Sequence, residues 1–164
     1  MLHCLACQVQ PDPAEILRDL VRDHGRSFHS RAKFCEGAAY HRELVHAGPG
    51  FEAWLLSWLP GQVTPIHDHG GVLTISTVLS GAVFEERFER TGGALVRPTW
   101  TTLRATGDVD PIDPLAIHRM QPVGSAVTLH LYLPASVDGQ IYEAMAGPCG
   151  RPDRVTACGH ACPA

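Results

Sequence analysis

The segment Pro65-Ile66-His67-Asp68-His69-Gly70 carries the sharpest chemical signal in the sequence. Residues two apart on a strand project from the same face, so His67 and His69 can converge on one ion while Asp68 turns away. Neutral imidazole is the commonest protein ligand for transition metals, and this chain holds ten histidines. A second signal lies downstream, where Val127-Thr128-Leu129-His130-Leu131-Tyr132-Leu133-Pro134 alternates strictly and sets Thr128, His130 and Tyr132 on one face. The alternation alone leaves two readings open, an ordinary solvent-facing strand surface or a row of groups lining a site. The six cysteines, at positions 4, 7, 35, 149, 158 and 162, add a further candidate. Cys4, Cys7, Cys158 and Cys162 have the spacing of a zinc clip, with His3 or His160 as an added donor, and the alternative is a pair of loose termini. A framework of disulfides is not expected for a chain read as intracellular, where thiols stay reduced.

These groups need elements to position them. Asp12 is an N-cap, Pro13 a first helical residue and Glu15 the third member of a capping box, and Ile16, Leu17, Leu20 and Val21 then recur at helical spacing. A helix is expected over residues 13–24, and a second short one over Ser27 to Cys35. From Tyr40 onward the texture changes to short β-branched and aromatic runs with turn residues at intervals of roughly ten. The expected strands are Tyr40 to His46, Phe51 to Trp58, Thr64 to His69, Val72 to Leu79, Ala82 to Arg90, Ala94 to Trp100, Thr101 to Ala105, Leu115 to Met120, Ala126 to Leu133 and Gln140 to Ala144. With no helices between them, they should form an antiparallel sandwich or barrel.

Composition narrows the function classes. The chain has 164 residues, the size of one domain, with 45% hydrophobic and 18% charged residues, a globular mixture. Net charge is −4 and the thirteen basic residues are scattered, so nucleic acid is not an expected partner. The apolar runs are too short to span a membrane, and the N-terminal residues lack the cationic flank and apolar stretch of a signal peptide. The expectation is a soluble cytoplasmic protein, a monomer or weak homo-oligomer.

Gly61 lies six residues before His67 and Gly81 twelve after His69, a spacing that resembles the first motif of the cupin superfamily, G-x5-H-x-H-x4-E-x6-G. Thr74 stands where that motif has its acid, and a neutral hydroxyl is a poor metal ligand. His118, in Leu115-Ala116-Ile117-His118-Arg119-Met120, resembles the histidine of the second cupin motif, although the proline, glycine and asparagine of that motif are replaced here. The whole set is similar to the thiol dioxygenases, in particular the cysteine dioxygenase family. Ile117-His118-Arg119 resembles that family's Leu-His-Arg segment, and Thr128-x-His130-x-Tyr132 followed by Pro134 resembles its Ser-x-His-x-Tyr triad and proline. Tyr40-His41-Arg42 resembles its Tyr-x-Arg, and Trp58 stands nine before His67, where these enzymes carry a tryptophan.

The resemblance covers about residues 40–135 and implies a mostly β fold: a cupin-type antiparallel β-barrel or jelly roll (double-stranded β-helix) with one or two N-terminal helices. The chain is then expected to be one cupin domain over residues 1–164, with a helical segment at about 11–36, a barrel at about 40–145 and a loose tail at 146–164. It also implies Fe(II) held by His67, His69 and His118. Three neutral ligands leave the ion its full double charge and three open positions, which favours a thiolate, a neighbouring amine and dioxygen. The implied reaction converts L-cysteine and O2 to cysteine sulfinate. Arg42 would hold the substrate carboxylate, supported by Tyr40, because a guanidinium offers two parallel hydrogen bonds and stays charged. Otherwise Arg42 would be a surface arginine paired with Glu43 or Glu85. Family members that prefer 3-mercaptopropionate tend to have glutamine at this position. Tyr132 would direct its hydroxyl at the bound thiolate or oxygen, His130 would orient and polarise that hydroxyl, and Thr128 would hold the imidazole as the family's serine does. Mammalian members carry a cysteine where Thr74 stands and join it to the tyrosine as a thioether, so an uncrosslinked, bacterial-type site is implied. The alternatives are dioxygenation of 3-mercaptopropionate or another small thiol, and a non-catalytic metal-binding cupin.

Overall fold

The computed structural model describes residues 12–145, apart from residues 38, 49 and 136–138. The suggested zinc clip and the tail at 146–164 lie outside the described residues. Helix α1 (Pro13–Arg31) starts as its sequence dictates: the Asp12 carboxylate accepts from the Ala14 N–H at 3.0 Å, Pro13 occupies the first turn, and Glu15 sits where the helix dipole favours an anion. The two helices expected over 13–24 and Ser27 to Cys35 are one. Phe28 lies three turns beyond Leu17 on the same apolar stripe as Leu20, and burial of all three carries the helix past Gly25.

Ten strands follow among the described residues: β1 (His41–Gly48), β2 (Phe51–Trp58), β3 (Ile66–His67), β4 (Leu73–Ser80), β5 (Ala82–Gly92), β6 (Leu95–Ala105), β7 (Val109–Ile112), β8 (Ile117–Pro122), β9 (Ala126–Leu133) and β10 (Ile141–Ala144). The strands expected over Ala94 to Trp100 and Thr101 to Ala105 are one continuous strand. The strand expected over Thr64 to His69 shrinks to Ile66–His67, because Pro65 precedes it and the left-handed Gly70 and Gly71, with φ of 61° and 84°, turn the chain just after it. Strand β7 has no counterpart among the expected strands, and it carries Pro111. It is tolerated at the edge of its sheet, where a missing N–H costs no ladder bond.

One sheet runs β1-β2-β9-β4-β7, and a second, β10-β3-β8-β5-β6, closes on itself. All pairings are antiparallel except β10 beside β6, which is parallel and departs from the expectation of a purely antiparallel barrel. Helix α1 covers the outer face of the first sheet, where Leu17, Leu20 and Phe28 pack with Ala53, Leu55, Ile75, Leu129 and Leu131. Its inner face carries Leu56, Trp58 and Val78, which meet Val83 and Met120 of the second sheet. Strand β9 is thus buried on both faces, and Thr128, His130 and Tyr132 point into the interior rather than to solvent. Among the described residues no helix is long and apolar enough to cross a membrane.

Gly81, which turns β4 into β5, is a glycine this packing cannot readily replace. Its φ is 78°, and a Cβ there would drive into the carbonyl oxygen of Ser125 at the start of β9. Gly124 has a φ of 80° with nothing within 4 Å of the corresponding position. Gly124→Ala should therefore cost only the ~1–2 kcal/mol of a left-handed backbone, and Gly81→Ala clearly more, as read by denaturant midpoints.

Candidate metal centre and adjoining pocket

His67 enters from β3, His69 from the turn after it, and His118 from β8, whose Cα is paired directly with that of His67. The three rings meet, with centroids 5.1 Å apart for His67 and His69, 4.7 Å for His67 and His118, and 4.9 Å for His69 and His118. One ligand nitrogen from each lies within 4.8 Å of the others. Second partners fix two of the rings. The Pro65 carbonyl accepts from His67 Nδ1 at 2.9 Å, and the Glu85 carboxylate accepts from His118 Nδ1 at 3.0 Å, which leaves each Nε2 lone pair for the centre. The Nε2 atoms of His69 and His118 stand 2.9 Å apart, facing one another.

Electrostatics match this donor set. Burial pushes His69 down to about 2, and the neighbouring His118 and His67 push in the same direction. Burial also holds His67 below, and His118 well below, the ordinary histidine value. All three are uncharged at neutral pH, the form that binds a metal ion. Asp68, between the two histidines in sequence and just past the end of β3, is engaged by other partners. It accepts from Tyr142 Oη at 2.6 Å and from the N–H groups of Gly70 and Gln140, both at 2.9 Å, and so ties β3 to β10. The donors fit a transition ion such as Fe(II) or Zn(II), with no carboxylate among the ligands.

Beside the trio lies a cavity of about 160 Å³, lined by Tyr40, Arg42, Leu56, Thr64, His67, Asp68, His69, His118, Met120, His130, Tyr132 and Gly139. That is below the roughly 300–1,000 Å³ of pockets for drug-sized ligands, so the space suits a small molecule. The eight candidate site residues drawn from the sequence divide cleanly: seven line this cavity, and Thr128 sits behind it. The Trp58 indole N–H donates to Thr128 Oγ1 at 3.0 Å, and Thr128 Oγ1 in turn bonds His130 Nε2 at 2.9 Å. Trp58 also stacks on Tyr40 with centroids 4.5 Å apart, so one indole steadies two parts of the wall. Burial pushes Tyr132 up to about 12, which keeps its hydroxyl protonated, and its ring lies 5.6 Å from that of His69.

Arg42 is not paired with either acid that could have claimed it. Glu43 is 2.7 Å from Arg31, and Glu85 is 2.6 Å from Arg87. The Arg42 guanidinium instead lies 3.9 Å over the Trp54 ring and 5.6 Å from that of Tyr132, and its buried Nε has no hydrogen-bond partner among the described residues. Thr74 is fully buried directly across from Tyr132 in the β4–β9 ladder, and its hydroxyl also lacks a partner among the described residues.

Sequence reasoning missed two contributors, Trp54 beneath Arg42 and Glu85 behind His118. Trp54 alternates with Leu56 and Trp58 on the inner face of β2, a signal present in the sequence. Glu85 was hidden by its neighbours: Phe84 is the apolar residue of that stretch, yet it is 41% exposed while Glu85 is 2% exposed. Phe88 keeps the face of Phe84 in an uninterrupted pairing with β8 yet is buried among Ile66, Val96, Ile117 and Tyr142, so apolar residues of one face are exposed at one end of the strand and covered at the other, which masks the alternation.

The model of the family described as cysteine dioxygenase type I matches residues 15–144. Cysteine dioxygenase type 1 of Rattus norvegicus and that of Mus musculus are each 31% identical over 102 residues, 58% of this chain and 51% of theirs. The chain spans about half the length of these curated relatives. Among solved structures, an uncharacterized conserved protein with a double-stranded β-helix domain from Klebsiella pneumoniae matches with a TM-score of 0.58 at 17% identity, over 70% of this chain and 88% of its own. A Thermus thermophilus protein matches with a TM-score of 0.54 at 20% identity, over 65% and 93%. These two likenesses show the cupin-type double-stranded β-helix fold.

Burial and the adjacent Glu85 push Asp110 up to about 7, against the pull of Arg104 and Arg87. A carboxyl raised from its ordinary value stabilises the fold at low pH and loses that contribution as pH climbs from about 4 to 7. The buried histidines act in the opposite sense, since their contribution is lost as pH falls below about 6.5. Asp110→Asn should remove the first effect alone, so the difference in melting temperature, variant minus wild type, should become more positive from pH 4 to pH 7. A flat difference would show that Asp110 does not hold that proton.

Proposed function

The chain belongs to the cysteine dioxygenase type I family, and on that premise we propose that it is a thiol dioxygenase that oxidises L-cysteine with O2 to cysteine sulfinate at a mononuclear Fe(II) site. The observation that carries this reading is the meeting of three uncharged imidazoles with an unpaired arginine and a protonated tyrosine at one cavity too small for a large ligand.

His67, His69 and His118 would hold the ion. When bound, ferrous ion would supply open, electron-poor positions at which a thiolate and dioxygen can meet, so that both oxygen atoms pass to sulfur. Everything else in the reading is the work of side chains. Arg42 receives the substrate carboxylate: the Trp54 face under its guanidinium fixes the plane and leaves the donor edge free, and attraction between cation and ring stabilises that pose. Tyr40, braced on Trp58, closes the same end. The Arg42 guanidinium lines the cavity without a carboxylate partner among the described residues, so an anionic guest is favoured at this spot. That favours cysteine or 3-mercaptopropionate over cysteamine, which has no carboxylate.

At the other end Tyr132 directs its hydroxyl toward the sulfur or the incoming oxygen, as a donor that burial keeps protonated. His130, uncharged and tied to Thr128, orients that hydroxyl, and Trp58 fixes Thr128 in turn. Thr74 cannot form a thioether to Tyr132, so the site works uncrosslinked.

Two outcomes test the reading. Protein loaded anaerobically with Fe(II) and then exposed to air should form cysteine sulfinate, followed by mass spectrometry, and should stop consuming oxygen when a chelator strips the metal. A metal-binding module without catalysis would show no cysteine-dependent oxygen uptake. Arg42→Gln removes one partner of a charge-assisted pair worth about 2 kcal/mol or more, and should lower kcat/KM for cysteine by roughly 30-fold or more. The effect on 3-mercaptopropionate should be smaller, and equal losses for both would refute the clamp.

A further inference from the structure

Behind His118, on the side away from the cavity, sits a buried cluster that the proposed reaction does not use. Glu85 is 2% exposed and Asp110 8%, and between them Arg87 lies 2.6 Å from Glu85 and 3.2 Å from Asp110, while Arg104 lies 3.4 Å and 2.6 Å away respectively. A buried carboxylate persists only where its oxygens are satisfied. Glu85 Oε1 is satisfied by His118 Nδ1 at 3.0 Å as well as by Arg87.

We propose that Glu85 is a positioning residue for the metal centre, holding His118 with its Nε2 lone pair toward the ion and supplying from behind that histidine the carboxylate that the ligand set lacks. The inference rests on the metal-centre reading above. Three features carry it. In the β5–β8 ladder Glu85 is paired with Met120 and Arg87 with His118, so Glu85 reaches the imidazole diagonally along one face of the sheet. An imidazole whose Nδ1–H donates to a carboxylate is fixed in tautomer and orientation and becomes a stronger donor through Nε2. Finally, Arg87 stands directly across from His118, where a free guanidinium would repel a bound cation, yet its charge is turned onto Glu85 and Asp110. Glu85 thus does two things, aiming the ligand and occupying the nearest competing positive charge.

Glu85→Gln tests this, because the amide keeps the shape and an oxygen that can accept from Nδ1 while the charge is lost. The probe is Co(II), titrated anaerobically into the metal-free chain and followed by its visible absorption bands. The variant should bind about 10–100-fold more weakly, with altered band positions, and Glu85→Asp should recover part of the affinity. Equal affinity and an unchanged spectrum in Glu85→Gln would overturn the inference and leave the metal-centre reading intact. A wild-type chain that takes up no Co(II) would overturn both. A readout free of any folding risk comes from the wild-type chain without metal, where imidazole nitrogen shifts should report His118 protonated at Nδ1. Protonation at Nε2 would overturn the inference.

Discussion

Desolvation of uncharged imidazole is the constraint on which the remainder of this structure depends. Each of His69, His118 and His130 is almost wholly removed from water, and each sits within reach of another histidine. Adding a proton to any of them would bury a charge at a desolvation cost that outweighs the pull of nearby carboxylates such as Asp68 on His69, so the folded chain holds them neutral. The same depression that makes this corner of the barrel sensitive to acid makes it a ready donor set for a cation. Fold stability and metal readiness therefore arise from one physical cause.

Burial of that kind requires a strand enclosed on both faces. Strand β9 achieves it because α1 lays Leu17, Leu20 and Phe28 over Leu129 and Leu131, while the second sheet closes over Thr128, His130 and Tyr132. An alternating pattern that elsewhere marks a half-wet strand here separates an apolar outer layer from a polar interior. The polar side chains are kept from being a liability by a short relay, Trp58 to Thr128 to His130, which satisfies a buried indole N–H and a buried hydroxyl at once.

Charge inside the barrel is managed by segregation. The acids Glu85 and Asp110 and the cations Arg87 and Arg104 compensate one another on the far side of His118. Arg42, on the cavity side, is left with aromatic faces and no acid. Arg42 is thus a guanidinium without an acid among the described residues at the wall of the cavity, and the packing of the sheets sets where an anionic group is favoured.

The chain's linear order already contained the β-rich architecture, the start of α1, the strands Phe51–Trp58 and Ala126–Leu133 to the residue, and the pairing of His67 with His69, because all of these follow from periods of two or 3.6 and from local cap and turn chemistry. Motif spacing also pointed to His118, Arg42 and Tyr132, although nothing local to those residues says that they share a cavity. What only the folded chain decided was long-range: that α1 runs unbroken to Arg31, that Asp110-Pro111 belongs to an edge strand, that Trp54 underlies Arg42, and that Glu85 rather than Phe84 faces inward. These depend on which surface another element happens to cover, and such facts come into being only when segments far apart in sequence are pressed together and water is driven out from between them.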